Sequence, residues 1–214
     1  MSSETPLYIS NPEQWLEETV KGPDLACLVI FRGSWCKYDK HYLRKLGQHH
    51  KTVMKKENVK LIAWTSEGIE GAKKADKEWG LTKDFGYDMV LGDDTNALAK
   101  WLMEDEILPN LVIKTPQEAN VQDIVPEGSH PNGIVMAGQA WWAHHGMIAF
   151  EWESKCEEPD FGGPNRPDPK FVWEQVLKRK HALDHGNAIM PLHRDNIKMC
   201  SSDMEVTMSS CSIL

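Results

Sequence analysis

No stretch of this sequence stays apolar long enough to span a bilayer, so no transmembrane helix is expected. The opening "MSSETPLYISNPEQW" has neither a basic n-region nor an apolar h-region, and a secretory leader is not expected either. A basic surplus is missing too. Lys and Arg number 24 against 32 Asp and Glu, a formal net charge of −8. No Lys/Arg stripe with interleaved aromatics stands out, which excludes nucleic acid as the expected partner. The basic stretches "KTVMKK" and "LKRKH" fit solvated helix sides. The five cysteines (Cys27, Cys36, Cys156, Cys200, Cys211) are odd in number and irregularly spaced. They form no C-x-x-C pair and no zinc pattern, so neither a disulfide framework nor a metal is expected, and a reducing, cytoplasmic setting is the default. Nucleotide loops of the G-x-x-x-x-G-K-[ST] or G-x-G-x-x-G kind are absent.

What is present is an alternation. "SNPEQWLEETV" opens a helix, with Asn11 to cap and Pro12 in the first turn. "LACLVIF" reads as a strand buried on both faces. Helix character runs from Cys36 to about Lys56, with Tyr42, Leu43, Leu46 and Val53 as its buried stripe. "VKLIAW" is a second strand, "GIEGAKKADKEWG" a short helix closed by Gly80, and "YDMVLGD" a third strand. "DTNALAKWLMEDE" gives a helix from Asp94 or Thr95. That order implies crossover connections and helices on both faces of the sheet. "LVIK" reads as a short strand, and "TPQEANVQDIVPEGSHPNG" as an inserted loop. "IVMAGQAWWA" and "MIAFEWE" flank His144-His145-Gly146 as an antiparallel hairpin. "DPKFVWEQVLKRKHA" is the last helix. After Leu183 the periodicity stops, which divides the chain into a domain over 1–183 and a mobile tail over 184–214.

Chemistry concentrates at Cys36. It lies just past a buried strand, on the first turn of a long helix, where ligands of open α/β sheets gather. Unpaired N–H groups at a helix start, with Arg32, Lys37 and Lys40 nearby, favour a low-pKa thiolate. Asp39, one turn on, works against the thiolate by its charge, or serves proton transfer as a base. It forms no disulfide, so a sulfenic acid at Cys36 would be resolved by glutathione or another distant thiol. Residue chemistry alone leaves this reading level with a second one, in which Cys36 is a small residue packed behind Trp35.

"FRGSWCKYDKHYLRKL" resembles the active-site segment of the peroxiredoxin-like proteins of thioredoxin fold, the AhpC/TSA or redoxin-type family, usually R-G-x-W-C-P-x-C before a helix. "FGGPNRPDPKFVWEQV" is similar to that family's G-G-A-x-x-R-P-x-P-x-x-V-W signature. "HPNGIVM" and the "WWAHHGMIAFEW" hairpin fit its strand pair, so the resemblance covers roughly Trp15 to Lys180. It implies an α/β, thioredoxin-like fold with a mixed central sheet flanked by helices on both faces. It also implies a thiol oxidoreductase or peroxidase-like antioxidant activity without a required cofactor, acting on a small-molecule oxidant or thiol. Cys36 falls on the nucleophile position, with Arg32 and Asp39 beside it and Trp35 and Ala137 shaping the substrate pocket. The chain departs from the pattern at Asp39 (a resolving cysteine in the family), at Lys37 (a proline), and at Ala137, nearest to the cis-proline that faces the active cysteine. A catalytically inactive binding or scaffold protein of the same fold is the alternative.

Nine histidines raise the question of a metal. His49-His50 diverge on a helix, His144-His145 fall in a turn, and His181 and His185 sit where the last helix frays, so no metal site is expected. His41 reads as a surface residue. Among nine tryptophans, Trp141 and Trp142 are placed with Trp35 near the reactive end. Trp15, Trp64, Trp79, Trp101 and Trp173 are read as core. Cys211-Ser212-Ile213-Leu214 matches a C-a-a-X box, which implies geranylgeranyl transfer to Cys211 and peripheral membrane attachment. One such chain binds only marginally, and basic residues upstream in sequence are sparse. The oligomeric state is not written in the sequence.

Overall fold

In the computed structural model, the described residues are 9, 11–143, 146–154, 165–187 and 196–200. Strand β1 (Leu25–Phe31) is buried at every position and forms the middle of a five-stranded sheet ordered β3-β2-β1-β6-β7. β2 (Val59–Thr65) and β3 (Met89–Gly92) run parallel to it, while β6 (Gly138–Trp142) and β7 (Ile148–Glu153) complete an antiparallel half. Successive side chains of a strand point to opposite faces. Leu25, Cys27, Val29 and Phe31 accordingly enter one core, and Ala26, Leu28 and Ile30 the other. This is the mixed α/β architecture the sequence implies.

Helices α2 (Lys37–Thr52), α3 (Gly68–Trp79) and α6 (Pro169–Asp184) cover the first core through Leu43, Leu46, Ala72, Ala75, Val172 and Trp173. On the opposite face lie α1 (Pro12–Val20) and α5 (Ala97–Glu104). Their caps follow local chemistry. Asn11 accepts from the Gln14 amide, and Asp168 from the amides of Lys170 and Phe171.

Several boundaries differ from the sequence reading, each for a visible reason. The long helix begins at Lys37, with Cys36 as its N-cap, and ends at Thr52 before a 3₁₀ turn over Met54–Lys56. A further helix, α4 (Leu81–Phe85), follows Gly80, whose positive φ of 70° turns the chain out of α3. α5 starts later than Asp94 or Thr95 because the Asp93 carboxylate accepts from the amides of Thr95 and Leu98, and Asn96 holds a φ of 60°. The apolar run Ile134–Trp142 is two strands in different sheets. β5 (Ile134–Val135) pairs with β4 (Ile113–Lys114), and the chain changes sheet at Met136-Ala137 before β6. Part of the segment after residue 183 packs on the domain. Ile197 is buried, the Asp168 amide donates to the Lys198 carbonyl, and the Cys200 amide donates to the Arg166 carbonyl at 2.7 Å.

Candidate active site

β1 ends at Phe31 and hands the chain to a short turn in which the Cys36 amide donates to the Gly33 carbonyl. That turn seats Cys36 at the N-cap of α2, so its sulfur faces the first helical turn. Sγ accepts from the Asp39 amide at 3.4 Å and from Arg32 Nη2 at 2.9 Å. Asp39 Oδ2 accepts from the Arg32 amide at 2.9 Å and from Arg32 Nε at 3.3 Å. Its other oxygen, Oδ1, accepts from Arg166 Nη2 at 2.6 Å. Cys36, Asp39, Arg32 and Arg166 are between 2 % and 4 % exposed, so the whole cluster is shielded from water.

Burial decides the protonation states. It pushes the Cys36 thiol up, the Asp39 charge adds to that, and Arg32 offsets only part, leaving the thiol at about 12. In this closed arrangement desolvation outweighs the helix start and the cations that favour a low-pKa thiolate in the sequence reading. Burial would raise the Asp39 carboxyl as well, but Arg166 and Arg32 together hold it down at about 2. For Arg32 burial is outweighed by Cys36 and Asp39, and its pKa is raised. Asp39 thus stands as a carboxylate between two guanidiniums.

Trp35 is half-buried, lies beside the Arg32 guanidinium, and donates its indole N–H to His130 Nε2 at 3.2 Å. Indole nitrogen is only a donor, so His130 Nε2 must be unprotonated and the ring proton sits on Nδ1, 3.2 Å from Ser66 Oγ. Burial holds His130 down at about 4, against a smaller opposing effect of Ser66. Ala137 directly precedes β6, whose Gly138 is in register with Ile30 of β1, so it lies toward the Cys36 end of the sheet. It is 1 % exposed. Trp141 and Trp142 pair with Cys27 and Ala26 at the opposite end of β1 and are core residues. Cys211 and His144-His145 lie outside the described residues.

The sequence reading did not assign Arg166, His130 or Ser66. The first two stand within segments it singled out, "NRPDP" and "HPNGIVM", and the arginine of the R-P-x-P match was the available signal. Among the described residues no group of three or more His, Cys, Asp or Glu side chains is placed to hold a metal, and no helix is long and apolar enough to cross a membrane.

No protein-family model matches the chain, and no curated protein does. Solved structures do. The chain superposes on AhpC of Enterococcus faecalis with a TM-score of 0.53 at 12 % identity, covering 81 % of this chain and 84 % of that one. A reduced 2-Cys peroxiredoxin of Plasmodium vivax gives 0.44 at 10 %, covering 79 % and 82 %. A peroxiredoxin 6 of Arenicola marina gives 0.47 at 14 %, covering 80 % and 64 %. The likeness to AhpC shows the fold: a peroxiredoxin-like, thioredoxin-type sheet with helices on both faces.

Proposed function

We propose that the chain is a thiol-dependent oxidoreductase or peroxidase-like protein whose single active-site sulfur is Cys36. The observation that carries this reading is the set of donors that meets at the sulfur. Arg32 Nη2 donates to Sγ at 2.9 Å and the Asp39 amide, in the first turn of α2, donates to it at 3.4 Å. A local opening at the start of α2 would lift the desolvation penalty and leave those donors acting on the sulfur. A hydroperoxide would then oxidise Cys36, giving a sulfenic acid and an alcohol (water from hydrogen peroxide). One external thiol such as glutathione would form a mixed disulfide with loss of water, and a second would release the free thiol and an external disulfide. Cys27 sits in the core and Cys200 lies beside Lys45, further along α2. Neither of these, the other cysteines among the described residues, is in contact with Cys36, so an external thiol is the resolving partner proposed.

A second reading, a binding protein that keeps the fold without the chemistry, draws support from the thiol at about 12 and its 3 % exposure. Treating the protein with hydrogen peroxide in the presence of a sulfenic-acid trap separates the two. Adduct at Cys36, absent from Cys36→Ser, supports the redox reading; no adduct even after prolonged exposure sinks it. A cytoplasmic setting with peripheral attachment through a prenylated Cys211 belongs to the same proposal. A mass measurement on the protein from its native cell decides it.

A further inference from the structure

The outer face of α2 carries Lys37, Lys40, His41, Arg44 and Lys45, which line one groove of about 530 Å³. Their spacing of i, i+3, i+4, i+7 and i+8 puts all five on one side of the helix over about 12 Å. Like charges at i, i+4 (Lys40 with Arg44) destabilise a helix, and cations in its first turn oppose the macrodipole. The acidic residue of that turn, Asp39, gives no relief, because it points inward to Arg32 and Arg166.

Counterions are also missing, although the chain has 32 Asp and Glu. Lys45 pairs with Asp168 at 3.3 Å. Lys37, Lys40, His41 and Arg44 pair with no carboxylate among the described residues. Lys37 leans on the Tyr38 ring and Arg44 on the Phe85 ring, contacts that leave the positive charges uncancelled. Local rules broken together without compensation mark a site that is completed by something else.

We propose that this groove binds the clustered phosphates of a small polyanion. Lys37, Lys40 and Arg44 supply three fixed positive charges, Lys45 a fourth shared with Asp168, and His41 another when protonated. A partner that neutralises them within the groove carries three or more negative charges at close spacing. A single carboxylate or one orthophosphate falls short. The Arg44 guanidinium presents the fork that phosphate oxygens accept in pairs. A triphosphate chain and a bisphosphorylated lipid headgroup share this chemistry. The inference does not depend on the reactivity of Cys36.

Titration calorimetry of the full chain with inorganic tripolyphosphate tests it, with orthophosphate and citrate as comparators. Tripolyphosphate is expected to bind at least about tenfold more tightly than either, and more weakly as salt is raised. The Lys40→Glu/Arg44→Glu variant is expected to lose about tenfold or more of that affinity, while Lys74→Glu, on the exposed side of α3, loses none. Thermal melts matching the wild type would show that these surface variants fold. Citrate binding as tightly as tripolyphosphate, or undiminished binding in the double variant, overturns the assignment. Phosphatidylcholine vesicles carrying a phosphatidylinositol bisphosphate distinguish the sources. Co-sedimentation that depends on Lys40 and Arg44 supports the site with a headgroup as its ligand; co-sedimentation unchanged in the variant refutes it.

Discussion

Arg166 Nη2 meets Asp39 Oδ1 at 2.6 Å, joining two buried side chains that are 127 positions apart in sequence. Asp39 thereby becomes the keystone of the Cys36 site. It cancels one guanidinium's charge, orders the other toward the sulfur, and costs the thiol part of its acidity.

Asp39→Asn separates these roles. Loss of the carboxylate removes one of the causes that hold the Cys36 thiol up, so its pKa is expected to fall below about 12 and its alkylation at pH 8 to quicken. The same change removes the carboxylate that the buried Arg32 and Arg166 share and should lower stability by about 3–5 kcal/mol. Alkylation rates against pH and urea melts read the two effects independently; an unchanged rate profile would show that the Asp39 charge does not reach the sulfur.

Alkaline pH should loosen the fold through Cys36. Its folded pKa of about 12 exceeds the unfolded value, so the protonated thiol contributes stability that is fully present below ~8.5 and is lost as pH rises toward 12. Cys27, Tyr42 and Tyr87 are raised by burial too, so the quantity to measure is the difference between wild type and Cys36→Ser across that window. Parallel stability curves for the two proteins would contradict the raised value.

His130 works in the opposite direction. Its folded pKa, about 4, lies below the unfolded ~6.5, so its stabilising effect is complete above pH 6.5 and fades as pH falls to 4. Protonation would also set an Nε2–H against the Trp35 indole N–H, breaking the contact at 3.2 Å. His130→Gln should flatten the stability slope between pH 6.5 and 4, and Trp35 fluorescence in the wild type should change over the same range. A slope equal to that of the wild type would remove His130 from this role.

Much of this architecture was legible in local pattern. Apolar runs at Leu25, Val59 and Met89, separated by amphipathic stretches, define the strands and crossovers, and the strand end followed by a helix start locates Cys36. What escaped was set by tertiary partners. Asp39 reads as a lone charge near a cysteine until Arg166 arrives from another part of the chain. Desolvation, which reverses the expected acidity of Cys36, depends on what closes over the site and has no sequence period. Ile134–Trp142 reads as one strand because both halves are largely apolar, and Gly138, which opens β6, does not by itself reveal the change of sheet at Met136-Ala137. The basic face of α2 hides in the sequence because Asp39, Tyr42 and Leu43 interrupt it, while on the helix they turn inward.

The Cys200 amide grips the carbonyl of the same Arg166 whose guanidinium holds Asp39, which in turn faces the arginine that touches Cys36. Residues 36 and 200 are therefore linked in series, like the two ends of a drawn cord. The segment around Cys200 thereby belongs to the same hydrogen-bonded chain as the sulfur, without touching the sulfur itself.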